Sequence, residues 1–168
     1  MSSTLSKLLI LLAAGAVLVS CKGEGGLTAK VRAGDLAPKS HNRVVLRDDD
    51  WQEVSTMDTK VRLYRWRIAD LIEQHKPFLV VFGTPQHCTM CVDQLTRVAV
   101  LEEKYGNRFA FIHVDGYKDN AVWVEWGVKG EPWTFLVDGK GVVRKVFPGQ
   151  TEISLIEEEI DSLLKETA

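Results

Sequence analysis

Two kinds of apolar spacing alternate along this chain. Phe78-Leu-Val-Val-Phe82 and Phe109-Ala-Phe-Ile-His-Val-Asp115 are short and almost continuously apolar, which suits strands covered on both faces. Between and around them the spacing is helical. Val61, Tyr64, Ile68, Leu71 and Ile72 predict a helix over Val61–His75 that ends before Lys76-Pro77, and Val92, Leu95, Val98 and Ala99 predict one over Cys88–Tyr105 that stops at Gly106. Asn120–Trp126 is a short helix. Trp133–Val137, the turn Asp138-Gly-Lys-Gly141 and Val142–Phe147 form a β-hairpin, and Ile153, Ile156, Ile160, Leu163 and Leu164 mark the buried face of a last helix. Arg43–Arg47 is strand-like and runs into the solvated turn Asp48-Asp-Asp50; Trp51–Lys60 has no clear period. The predicted order is βαβαβαββα. It implies an α/β fold with a mixed central sheet flanked by helices.

The first 20 residues stand apart. Lys7 precedes the apolar run Leu8–Val19, which is short for a membrane span and suits the core of a signal peptide. Leu18-Val-Ser-Cys21 resembles the lipobox of bacterial lipoproteins, which implies lipidation of Cys21 as the mature N-terminus; an ordinary secretory signal is the alternative. Both readings export the protein. The resemblance implies a lipid-anchored, periplasm-facing protein of the bacterial cell envelope, and Lys22 after the cysteine leans towards the outer membrane. Residues 21–39, rich in glycine and charge, read as a flexible tether of about 18 residues with a span of roughly 20–25 Å. Residues 40–168 form the folded domain.

Without the leader the chain carries 20 basic and 23 acidic side chains and no basic block, which speaks against a nucleic-acid partner. One domain of this size needs no second copy, and a monomer is expected.

Candidate chemistry concentrates in His87-Cys88-Thr-Met-Cys91. The apolar strand delivers Cys88 to the start of a helix, where free N–H groups and the helix dipole favour a thiolate. Cys21 has its own explanation, so parity pairs Cys88 with Cys91, and an exported address lets such a disulfide persist. No other cofactor and no metal site is expected. His87 could stabilise the Cys88 thiolate when protonated, or be an ordinary surface histidine. His113 reads as a satisfied core or strand-end histidine, His41 and His75 as exposed, and the five tryptophans as core or groove packing.

Strand, Cys-x-x-Cys and helix, followed about forty residues later by Trp126-Gly-Val-Lys-Gly-Glu-Pro132-Trp-Thr-Phe-Leu-Val-Asp-Gly-Lys-Gly141, resemble the thioredoxin-like family over roughly residues 62–167. The resemblance implies that Pro132 is cis and packs beside the disulfide, and that Glu131 offers backbone groups to a substrate segment. It implies a thiol-disulfide oxidoreductase that exchanges disulfides with cysteine-containing exported proteins and is recycled by a redox partner. Thr89 and Met90 replace the family's Gly-Pro and modulate the site. The buried acid that thioredoxin carries before the motif corresponds to Val81 and is missing; Glu131 could take its place if it turned inward, or be solvated. Potentials in this fold run from about −270 to −120 mV, so the direction of electron flow stays open. A copper-binding or copper-delivery module, using the two thiolates with Met90 and His87, and a non-catalytic docking domain are the competing readings.

Overall fold

The computed structural model describes residues 29–45 and 50–166. The leader, the Cys21 lipidation site and residues 46–49, which include the end of the expected first strand, lie outside the described residues. The elements are α1 (Trp51–Val54), α2 (Ile68–Glu73), β1 (Phe78–Gly83), α3 (Thr89–Tyr105), β2 (Ala110–Asp115), α4 (Asn120–Trp126), β3 (Trp133–Val137), β4 (Val143–Pro148) and α5 (Ile153–Glu166).

The four strands form one mixed sheet in the order β2-β1-β3-β4. β1 runs parallel to β2 and antiparallel to β3, and β3 pairs antiparallel with β4. Every residue of β1, β2 and β3 is buried, as their unbroken apolar runs require. Alternation along the strands divides the core in two. Leu79, Val81, Phe111 and Leu136 face Leu95 and Val98 of α3 and Ile156 and Ile160 of α5. Phe78, Val80, Phe82, Ile112 and Phe135 face Ile68 and Leu71 of α2 and Val122 and Trp126 of α4. The mixed sheet with helices on both faces is therefore present as expected.

Three expectations are corrected. Residues 41–45 form no strand. Val45 N–H instead makes a single bond to Tyr64 O at 2.9 Å, and Leu63 O accepts from His113 N–H at 2.8 Å, so an irregular segment lies along the β2 edge. Those same bonds use the carbonyls that a helix over Val61–His75 would have needed. The helix begins only at Ile68, where Asn42 Oδ1 accepts the Ile68 N–H at 2.8 Å while Asn42 Nδ2 donates to Trp66 O at 2.9 Å. Val61, Tyr64 and Ile68 had helical spacing, yet long-range partners for the backbone outweigh a periodicity of three residues.

The tether is also shorter than expected, because residues 29–39 are packed on the domain. Ala29, Val31 and Ala37 are buried, Lys30 and Val31 donate to the carbonyls of Gly127 and Trp126, and Leu36 bridges Val142 at the rim of the hairpin. Gly127 permits this approach. It ends α4 at φ +60°, and a Cβ there would lie 2.3 Å from Lys30 Cβ. The glycine that allows the packing is thus Gly127 on the domain side, and residues 29–39 lie against the domain where a flexible tether is expected from the sequence. No helix among the described residues is long and apolar enough to cross a membrane.

Candidate active site

Cys88 and Cys91 are joined by a disulfide at the start of α3, with Cα atoms 5.2 Å apart. Cys88 is the residue before the first helical turn, in extended conformation, and its Sγ accepts the Cys91 N–H at 3.1 Å. One of the amides left unpaired at a helix start is thus spent on sulfur. The two cysteines differ in access: Cys88 is 8% exposed and Cys91 is fully enclosed. Thr89 and Met90 between them are exposed, and with Val92 and Tyr117 they leave apolar surface beside Cys88. Val92, expected on the inner face of α3, points outward; Cys91 and Gln94 take that face with Leu95 and Val98.

Thr84 organises the approach to the motif. Its carbonyl accepts the N–H groups of His87 and Cys88 at 3.2 and 3.1 Å, and its hydroxyl donates to Glu131 Oε2. Glu131 does turn inward. Its other oxygen is 2.6 Å from His87 Nε2, and the carboxylate lies within 4.8 Å of both cysteine sulfurs. His87, half exposed, also stacks edge-on to Tyr117 at 5.3 Å. The Glu131–Pro132 peptide bond is cis. The residues named from the sequence in the domain, His87, Cys88, Thr89, Met90, Cys91, Glu131 and Pro132, thus come together at one end of the sheet.

Cys88, Cys91 and Glu131 are the one group of three potential metal donors among the described residues. Here the sulfurs are bonded to each other and both carboxylate oxygens accept hydrogen bonds. A closed zinc site would want a fourth donor as well.

Behind Cys91 lies a layer of which sequence reasoning saw only His113, as a satisfied core or strand-end histidine, and missed the rest. Val81 and Gly83 of β1 and their register partners His113 and Asp115 of β2 point to the α3 side of the sheet. A Cβ at Gly83 would meet Cys91 Cβ at 3.1 Å and Sγ at 3.2 Å, so the glycine makes room for the buried sulfur. His113 is buried with both ring nitrogens engaged. Nε2 is 3.2 Å from Gly83 O, and Nδ1 contacts the hydroxyl of Tyr64, which donates to Ser55 Oγ at 2.7 Å. Asp115 ties the neighbouring loops together by accepting Thr56 N–H and Oγ1–H at 2.7 and 2.6 Å and Tyr117 N–H at 3.0 Å. Burial pushes His113 down from 6.5 to about 4, against opposing contributions from the Asp115 charge and the Gly83 carbonyl. Burial also raises the Tyr64 hydroxyl far above its ordinary value. The only sequence signal for this layer was a histidine inside an apolar strand and a tyrosine inside a supposed helix.

No protein-family model matches the sequence, and no curated protein matches it. Solved structures do resemble it in backbone arrangement. Mitochondrial thioredoxin 3 from Saccharomyces cerevisiae is 20% identical with a TM-score of 0.49, over 56% of this chain and 85% of that one. The germline-specific thioredoxin Deadhead from Drosophila melanogaster is 18% identical with a TM-score of 0.49, over 56% and 89%. Fasciola hepatica thioredoxin is 23% identical with a TM-score of 0.47, over 53% and 85%.

The depressed His113 value sets a pH dependence of stability. The unfolded chain takes up a proton near pH 6.5 that the folded protein refuses until about pH 4, so this contribution is complete above 6.5 and is lost as pH falls towards 4. Its size is of order 3 kcal/mol. Urea unfolding between pH 4 and 7 should show stability rising with pH, with a shallower rise in His113→Gln. Equal slopes in the two proteins would contradict it.

Proposed function

We propose that this chain is a thioredoxin-like thiol-disulfide oxidoreductase of the cell envelope that exchanges disulfides with cysteine-containing exported proteins. The observation that carries the reading is the inequality of the two sulfurs. Cys88 lies at the N-terminus of a 17-residue helix, accepts an N–H bond and reaches the surface, whereas Cys91 is sealed beneath it. Helix-terminal N–H groups and the dipole stabilise a thiolate, so the reduced Cys88 has a pKa below the free value of about 8.5 and is the attacker.

The reaction proceeds in two exchanges. Cys88 thiolate attacks a partner disulfide, forms a mixed disulfide and expels one partner sulfur as thiolate. Cys91 then attacks Cys88 Sγ, closing the disulfide seen here and expelling the second partner sulfur. Run in reverse, the same steps oxidise a partner dithiol. Glu131 and Pro132 form the loop facing the motif, and an extended partner segment lying between that loop and Met90 would meet the Glu131–His87 pair. His87, bonded to Glu131, balances the carboxylate beside the Cys88 thiolate.

Insulin reduction and mixed-disulfide trapping test the chemistry. Cys88→Ser should abolish exchange, and Cys91→Ser should accumulate covalent adducts that dithiothreitol releases. Adducts trapped by Cys88→Ser and not by Cys91→Ser would reverse the roles, and undiminished exchange by both would end the reading.

The envelope address rests on Lys7, the apolar run Leu8–Val19 and Leu18-Val-Ser-Cys21. The protein is anchored through a lipid on Cys21 and acts as a monomer beside the membrane. Cys21→Ser should move it from the membrane to the soluble fraction of a bacterial host with exchange activity intact. Membrane retention of the variant would refute the anchor.

A further inference from the structure

The two redox forms of this site differ in charge. As a disulfide the cysteine pair carries none, whereas two ionised sulfurs would lie beside the Glu131 carboxylate and crowd three negative groups into one small space. A divalent cation relieves that crowding. We propose that the reduced site binds one zinc ion through Cys88, Cys91, Glu131 and His87, and that zinc held there keeps the dithiol in store and silences exchange. The inference rests on the thiol-disulfide reading above, which supplies the dithiol form.

Three of the four donors are already gathered. One ligand atom from each of Cys88, Cys91 and Glu131 lies within 4.8 Å of the other two. Around tetrahedral zinc, with bonds of about 2.3 Å to sulfur and about 2.0–2.1 Å to nitrogen or oxygen, donor atoms stand roughly 3.3–3.8 Å apart. Breaking the S–S bond lets the sulfurs part to that spacing, and the carboxylate has only a short way to close. His87 supplies the fourth donor. Its Nε2 lies 2.6 Å from Glu131 Oε1 and 3.5 Å from Thr84 Oγ1, so the ring nitrogen faces the carboxylate that faces the sulfurs. Zinc replaces the proton between that nitrogen and Oε1, and the ring keeps its other proton on Nδ1. Thr84 holds the remaining oxygen, Oε2, through its hydroxyl and so fixes the carboxylate from behind.

The donor set also selects the metal. Two thiolates with an imidazole and a carboxylate suit four-coordinate zinc, while the hard carboxylate is a poor partner for Cu(I). Access comes from the His87 side. Both sulfurs are buried, but the side chains of Glu131 and His87 are 20% and 52% exposed, and His87 rests edge-on against Tyr117 outside the core. Binding releases the thiol protons and leaves neither sulfur free to attack. Exchange resumes when zinc leaves: the two sulfurs then give two electrons to a partner disulfide, the Cys88–Cys91 bond forms, and two partner thiolates depart. The zinc ion itself is neither oxidised nor reduced.

Cobalt(II) and zinc titrations test this on the full chain carrying Cys21→Ser, in which Cys88 and Cys91 are the two remaining thiols. The protein is reduced with dithiothreitol and freed of it under nitrogen. It should take up one cobalt ion per chain, with thiolate-to-cobalt absorption in the near ultraviolet and the intense red bands of tetrahedral cobalt, all abolished by zinc. The disulfide form should give none of these bands. Glu131→Gln and His87→Gln should each weaken zinc binding by roughly 10²-fold, read by competition with a chromophoric chelator. Unchanged affinity in either variant overturns the assignment, as does one zinc ion shared by two chains. Should a variant not fold, X-ray absorption at the zinc edge of the loaded Cys21→Ser protein decides: two sulfurs, one imidazole and one oxygen support the site, and any other shell refutes it. Failure to reduce insulin would remove the oxidoreductase reading and leave the zinc result standing, so the two failures are told apart.

Discussion

The site depends on how α3 begins. The strand β1 ends in a glycine, the chain turns through Thr84–His87, and the helix starts with the Cys91 N–H donating to Cys88 Sγ. This one bond orients both sulfurs relative to the helix axis. It holds Cys88 where unpaired amides and the dipole act on it, and it places Cys91 a turn further in, against Gly83. A Cβ at position 83 would come within 3.1 Å of Cys91 Cβ and 3.2 Å of its Sγ, so the buried sulfur would have to give way. The unequal access of the two cysteines, and with it the division of labour proposed for them, follows from that junction.

Glu131 gives the junction its second wall. Pro132 is held cis next to it, and the carboxylate is tied by Thr84 from below and His87 from the side. Motif loop and proline loop are therefore linked through side chains, so that a change at His87 is felt at Glu131. Placing a carboxylate within 4.8 Å of both sulfurs opposes a thiolate there, while the helix terminus and a protonated His87 favour it.

The parts of this molecule legible in the sequence are those whose pattern is local and saturated. Phe78–Phe82 and Phe109–Asp115 are so uniformly apolar that only buried strands fit, and the hairpin is announced by Asp138-Gly-Lys-Gly141, where the Asp138 carboxylate accepts the Lys140 and Val142 N–H groups. Cys88 and Cys91 stood out by their spacing, Glu131 and Pro132 only through the resemblance, and the fold places the four at one end of the sheet. What escaped depends on partners far away in the chain. Tyr64 carries helical spacing and Leu63 lies in the same expected helix, but their carbonyls belong to Val45 and His113; Ala29 and Val31 look like spacer residues, yet pack beside Gly127 and Trp126. Thr84, Gly83 and the Ser55–Tyr64–His113 chain carry no motif at all, since only the β1–β2 register brings His113 beneath Cys91.

The central claim is that one helix start makes two chemically different thiols. Iodoacetamide labelling of the fully reduced protein, followed by mass spectrometry of the separate cysteine peptides over pH 5–9, measures it directly. The account predicts that Cys88 is labelled far faster than Cys91, with a midpoint below the free-thiol value of about 8.5, and that Cys91 reacts only slowly while the protein stays folded. Equal labelling of the two cysteines, or faster labelling of Cys91, would contradict it.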